Sequence, residues 1–168
     1  AGYSTAQPHT GARSARFGLL PGVLAAAAPS ILQKSDSSIP ERNLLGELAP
    51  LGASYSSGYQ TISVPAAADK VTLTLWYYPG SDATTGDYQR VVLLQPGTFA
   101  GIKTLMKVQE HDRTWKQATF DLTPYRGMSL VLYIEVLNDS TAAAGRTWMY
   151  VDDVSVSACP KQPPTATP

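Results

Sequence analysis

The sequence predicts an all-β protein, an antiparallel β-sandwich of jelly-roll type. Three observations carry this. Runs of seven to ten β-rich residues recur from residue 58 onward. Clusters of Gly, Pro, Asp and Asn separate them, and no stretch shows a helical period of comparable strength. Short strands at regular spacing with turn signals between them are the pattern of sandwiches and jelly rolls. The chain has 168 residues, 43% of them hydrophobic, enough for one core without a disulfide staple.

In order along the chain, GARSARFG at 11–18 alternates small or apolar with polar residues and predicts a short strand. From 19 to 56 the alternation stops and Pro punctuates a low-charge stretch that reads as a long insertion after that strand. GYQTISV (58–64), KVTLTLWYY (70–78), YQRVVLLQ (88–95), GIKTLMKV (101–108), TWKQATFDL (114–122), SLVLYIEVL (129–137) and TWMYVDDVSV (147–156) supply the remaining strands. PKQPPTATP at 160–168 cannot donate to a sheet or fill a core and reads as a Pro/Thr linker, so the module spans 1–159.

Side-chain alternation assigns the faces. Val71, Leu73, Leu75 and Tyr77 point inward, which turns Trp76 and Tyr78 outward; placing Phe120 and Leu122 in the core turns Trp115 outward. The 129–137 strand is apolar on both faces except at Glu135, which predicts a central strand covered on both sides, with the insertion as one possible cover. Val151 and the pair Val154 and Val156 fall on opposite parities around Asp152 and Asp153, which predicts a bulge there that turns all three valines inward.

Thirteen basic residues balance thirteen acidic ones, which removes the electrostatic footprint of nucleic-acid binding. Charged residues are 15% against about 25% in a typical soluble domain. With the abundant Ser, Thr, Gly, Pro and Tyr, this is the profile of a secreted or cell-surface β domain. No apolar run is long enough to span a membrane. The chain opens on Ala1 and reads as a processed fragment, and the single cysteine, Cys159, at the end of the folded part reads as a thiol with a partner elsewhere or as a small apolar edge residue.

Adjacent carboxylates in a strand repel, and a hard cation is the usual compensation, so Asp152 and Asp153 are the candidate metal ligands. Asn138 and Asp139, just before the last hairpin, are candidates to join them, with structural calcium as the expected ion. One solvated Asp and one bonded to backbone amides in a bulge is the competing reading. Trp76, Tyr78, Tyr88 and Trp115 are the candidate ligand-binding residues, because the C–H faces of sugars stack on aromatic rings; packing beneath a loop or against a cross-strand neighbour is the alternative. Catalytic signatures are absent: there is no GxSxG or HExxH, and His9 and His111 sit in turn-like contexts with no thiol nearby. Asn138-Asp139-Ser140 is a formal glycosylation sequon.

Three stretches, HTGARSARFG (9–18), YQTISVPAAADKVTLTLWYYP (59–79) and LYIEVLNDSTAAAGRTWMYVDDVSV (132–156), resemble the galactose-binding-like jelly-roll modules of secreted bacterial proteins. Such modules occur beside immune-inhibitor-A-type metallopeptidases, and MAM domains and several carbohydrate-binding modules are similar in their closing DDV strand. The resemblance implies a non-catalytic accessory module that binds carbohydrate or protein, with structural calcium held in part by Asp152 or Asp153. In that family an opening strand with an acidic ligand would precede Ala1, and a short connection stands where this chain has 19–56. The expected function is an extracellular binding module of a larger parent chain, for carbohydrate or the cell envelope; the alternative is a structural or protein–protein module without sugar binding.

Overall fold

The computed structural model describes residues 1–20, 54–139 and 145–160. The strands are β1 (Gly2–Ser4), β2 (Ser14–Gly18), β3 (Ser54–Ser63), β4 (Ala68–Ser81), β5 (Tyr88–Leu94), β6 (Gly101–Val108), β7 (Lys116–Asp121), β8 (Ser129–Asn138) and β9 (Thr147–Pro160). They form two antiparallel sheets, a front sheet of five strands in the order β1-β2-β9-β4-β7 and a back sheet of four in the order β3-β8-β5-β6. Only the β1–β2 and β5–β6 connections stay within a sheet, so the chain winds back and forth between layers in the manner of a jelly roll. The predicted strands lie where expected; β1, too short and polar to show a pattern, was not anticipated. Of the expected insertion, 54–56 belong to β3 and 21–53 lie outside the described residues; of the expected linker 160–168, Pro160 ends β9 opposite Ala68 and 161–168 lie outside them.

The core lies between the sheets and follows from strand parity. Val71, Leu73, Leu75 and Tyr77 of β4 meet Val91 and Leu93 of β5 and Leu130, Leu132, Ile134 and Val136 of β8. Each buried Val or Leu contributes about 1.5–3 kcal/mol relative to leaving it in water. Polar side chains close the end of the sandwich near the start of β9. The Gln89 amide bonds to the carbonyl of Glu110 at 3.0 Å and accepts from the Glu110 N–H at 3.0 Å. Asn138 pairs both ways with the Thr147 backbone, donating from Nδ2 to the carbonyl at 2.9 Å and accepting at Oδ1 from the N–H at 2.8 Å. One buried side chain thus joins β8 of the back sheet to β9 of the front sheet. Asn138→Ala leaves the buried Thr147 N–H unpaired, while its carbonyl keeps the Leu19 N–H at 3.1 Å, and an equilibrium urea titration should show a loss of roughly 1–3 kcal/mol.

The β9 bulge is present, and its consequence differs from expectation. Thr74 pairs with Ser155 and Trp76 with Asp152, so Asp153 and Val154 together oppose Leu75, and Asp153 takes φ 47°. Val151 is buried, but Val154 and Val156 are exposed. The reason lies in the neighbouring strand: β2 ends its pairing at Ala15 opposite Val151, and beyond that point β4 is β9's one partner among the described strands. Val156 has the parity of Leu73 yet sits at a sheet edge that no described strand covers.

Candidate functional site

The outer face of the front sheet carries the aromatic residues that parity turned outward. Trp76 and Tyr78 of β4 lie beside Trp115, which precedes β7, and Tyr150 of β9. Tyr78 meets Trp115 edge-on at 5.7 Å and Tyr150 at 5.9 Å. Residues before β2 close over Trp76: the His9 ring stacks on its indole with centroids 4.0 Å apart and planes 18° apart, and meets Trp115 at 5.1 Å. The face of Trp76 that a sugar would use is therefore occupied by an imidazole. Trp76, Tyr78 and Trp115 are half-buried, with Tyr78 on Trp115 and His9 between Trp115 and Trp76.

Asp152 and Asp153 hold that covering turn in place. Asp152 Oδ2 accepts from the backbone N–H of His9 at 2.9 Å and of Thr10 at 3.3 Å. Asp153 accepts from the Thr10 hydroxyl at 2.5 Å and contacts His9 Nδ1 at 2.6 Å. The adjacent carboxylates are bonded by amides, a hydroxyl and an imidazole, so Asp152 holds backbone amides as the competing reading had it, while Asp153 holds side chains rather than water alone. Hydrogen bonds from Thr10 and then His9 hold the Asp153 carboxyl below its ordinary value. A depressed carboxylate stabilises the fold above its unfolded pKa and loses that contribution as pH falls through its folded value. Thr10→Val should move the Asp153 carboxyl upward, and this contribution should then be lost at a higher pH; a carboxyl-carbon NMR titration reads the shift directly.

The four expected metal ligands do not come together. Asn138 spends its amide on Thr147, five residues before Asp152 on β9, a separation of roughly 16 Å along a strand. Asp139 lies with Asn138 at that far end, where its backbone N–H donates to Asp87 Oδ1 at 2.7 Å. Their place just before the hairpin that leads into β9 put Asn138 and Asp139 with the β9 pair; the length of the strand separates them.

Tyr88 is likewise apart from the other aromatic candidates, buried on the outer face of the back sheet. Register builds that face in rows across the strands. The central row runs Ser57, Glu135, Arg90, Lys107. On one side lies the row Tyr55, Leu137, Tyr88, and on the other the row Tyr59, Tyr133, Val92. Arg90 Nε donates to Glu135 Oε1 at 2.7 Å, and Nη2 contacts the same carboxylate, with the pair 0% and 2% exposed. Tyr88 lies between cations, with the Arg90 guanidinium 5.1 Å and the Lys107 ammonium 4.5 Å from its ring centre. Arg90 Nη1 and the Tyr88 hydroxyl are buried without a hydrogen-bond partner. Burial and then the charge of Glu135 raise the Tyr88 phenol, with Arg90 opposing. Burial pushes the Tyr133 phenol up to about 12, the Ser57 hydroxyl pulling it back and Glu135 adding to the rise. Phe99 packs against Val92, Leu94, Val131 and Tyr133 and meets Tyr59 edge-on at 5.2 Å. Tyr59 and Tyr55, on the β3 edge, are 61% and 38% exposed. Alternation within the two strands places Arg90 and Glu135 outward, but only the register shows that they are opposite one another.

No protein-family model and no curated protein sequence matches the chain. Among solved structures it is similar to the carbohydrate-binding module TmCBM61, solved in complex with β-1,4-galactotriose. The alignment covers 89% of this chain and 73% of that one at 11% identity, with a TM-score of 0.49. A family 16 carbohydrate-binding module is similar over 66% of this chain and 73% of its own at 18% identity and a TM-score of 0.38. A structure of infectious bursal disease virus, Gx strain, matches over 62% and 28% at 12% identity and a TM-score of 0.29. At such values the chain's own residues, and not the likeness, have to say what a site binds.

Proposed function

We propose that the chain is a non-catalytic carbohydrate-binding module of a larger secreted or surface protein, with the outer face of the back sheet as its ligand floor. The observation that carries this is the Arg90–Glu135 pair on the side of the sheet facing away from the core. Apolar residues would serve stability there at least as well. The pair instead fixes the sheet between two rows that carry Tyr55 and Tyr88 on one side and Tyr59 and Tyr133 on the other. A sheet face held rigid beside exposed aromatic rings suits a sugar, whose C–H faces stack on rings. First contact falls on the exposed Tyr59 and Tyr55, with the buried pair as the rigid, charge-balanced floor. Affinity electrophoresis in native gels against a panel of neutral soluble polysaccharides tests the reading: retardation by at least one polymer is expected, and uniform mobility across the panel would sink it.

A protein–protein module is the second reading, favoured by the edge of β9. From Val154 onward β4 is that strand's one partner among the described strands, and Val154 and Val156 are exposed. A groove of about 330 Å³ lined by Tyr3, Arg13, Ala15 and Val154, among others, adjoins its start. Unpaired sheet edges of this kind take up extended peptides. On this reading Val156→Lys should abolish capture of the partner and leave polysaccharide retardation unchanged.

A further inference from the structure

We propose that a hard divalent cation binds where the β4–β5 and β8–β9 connections meet, held by Asp87 and Asp139. Asp87 is 6% exposed; its Oδ1 accepts the Asp139 N–H at 2.7 Å, and its Oδ2 is buried with no hydrogen-bond partner. A carboxylate oxygen removed from water and left unpaired is costly.

The backbone is shaped to hold both acids at this corner. Gly86 has φ +88°, and a Cβ there would lie 1.9 Å from Asp139 Oδ2, so only glycine lets the Asp139 carboxylate sit against residue 86, next to Asp87. Asn138, locked to the Thr147 backbone, fixes the other side. A buried carboxylate with an unpaired oxygen, bound to the backbone of a second acid whose carboxylate sits against the preceding residue, matches the oxygen-rich character that calcium and magnesium require. Among the described residues no group of three or more His, Cys, Asp or Glu forms a metal site, so backbone carbonyls and water complete the coordination. The site is independent of the sugar reading and lies away from the Asp152–Asp153 pair, whose oxygens are engaged by His9 and Thr10.

Thermal unfolding in calcium against chelator tests the proposal, with terbium luminescence excited through the protein's aromatic rings as a direct readout. Saturating calcium should raise Tm by about 3 °C or more. Asp87→Asn keeps an acceptor for the Asp139 N–H while removing the charge, and should abolish both the rise and the luminescence. Asp153→Asn should keep both. If Asp87→Asn does not fold, Asp139→Asn is read in its place. No calcium-dependent rise and no terbium signal in the wild type would overturn the site, and so would a rise that survives Asp87→Asn but disappears in Asp153→Asn.

Discussion

Arg90→Ala is expected to cost the fold about 3–5 kcal/mol, the largest loss of any single surface-side substitution in this chain. Arg90 and Glu135 are both essentially inaccessible, and Arg90 Nε and Nη2 converge on Glu135 Oε1. Removing the guanidinium strands a carboxylate in a low-dielectric setting beside the Tyr88 and Tyr133 phenols. Arg90→Lys should recover only part of the loss, because a point charge cannot reproduce two donors held in one plane. The double variant Arg90→Leu/Glu135→Leu should lie within about 1 kcal/mol of wild type, or above it, since a well-packed apolar pair avoids the desolvation cost of both ions. A double-mutant cycle by denaturant unfolding reads the coupling directly. If Arg90→Ala loses less than about 1 kcal/mol, the pair is not buried in solution as it is here.

The strands were legible because two signals coincided, period-two alternation within each run and turn residues between runs. β4 shows this most clearly: the residues predicted inward are buried, and Trp76 and Tyr78 lie on the other face. What could not be read depends on partners distant in sequence. The bulge followed from parity alone, but the exposure of Val154 and Val156 follows from where β2 stops, which β9 does not encode. Parity turned Trp76 outward and said nothing of His9, more than sixty residues earlier in the chain, stacking on it. Glu135 stood out as a lone charge in an apolar strand, and Arg90 was an equal anomaly in YQRVVLLQ. Two such anomalies on apolar strands of one sheet are a signal that a cross-strand ion pair exists, even before the register is known.

Tyr59→Ala should weaken polysaccharide binding about tenfold or more, with little effect on stability. The ring is 61% exposed and touches Phe99 edge-on, so its removal opens no core cavity. A stacked aromatic face contributes on the order of 1–2 kcal/mol through area burial and ring geometry, which corresponds to roughly a tenfold change or more in affinity. Arg90→Leu/Glu135→Leu separates floor from rim: the pair is out of a ligand's reach, so the double variant should remain folded and keep the binding that Tyr59→Ala loses. Trp115→Ala serves as the contrast on the front sheet, where the rings are packed on one another and Trp76 is covered by His9. Retardation in polysaccharide-containing gels should therefore survive Trp115→Ala and fall with Tyr59→Ala. The opposite pattern would move the ligand to the front sheet and require the His9 turn to leave Trp76, breaking its bonds to Asp152 and Asp153.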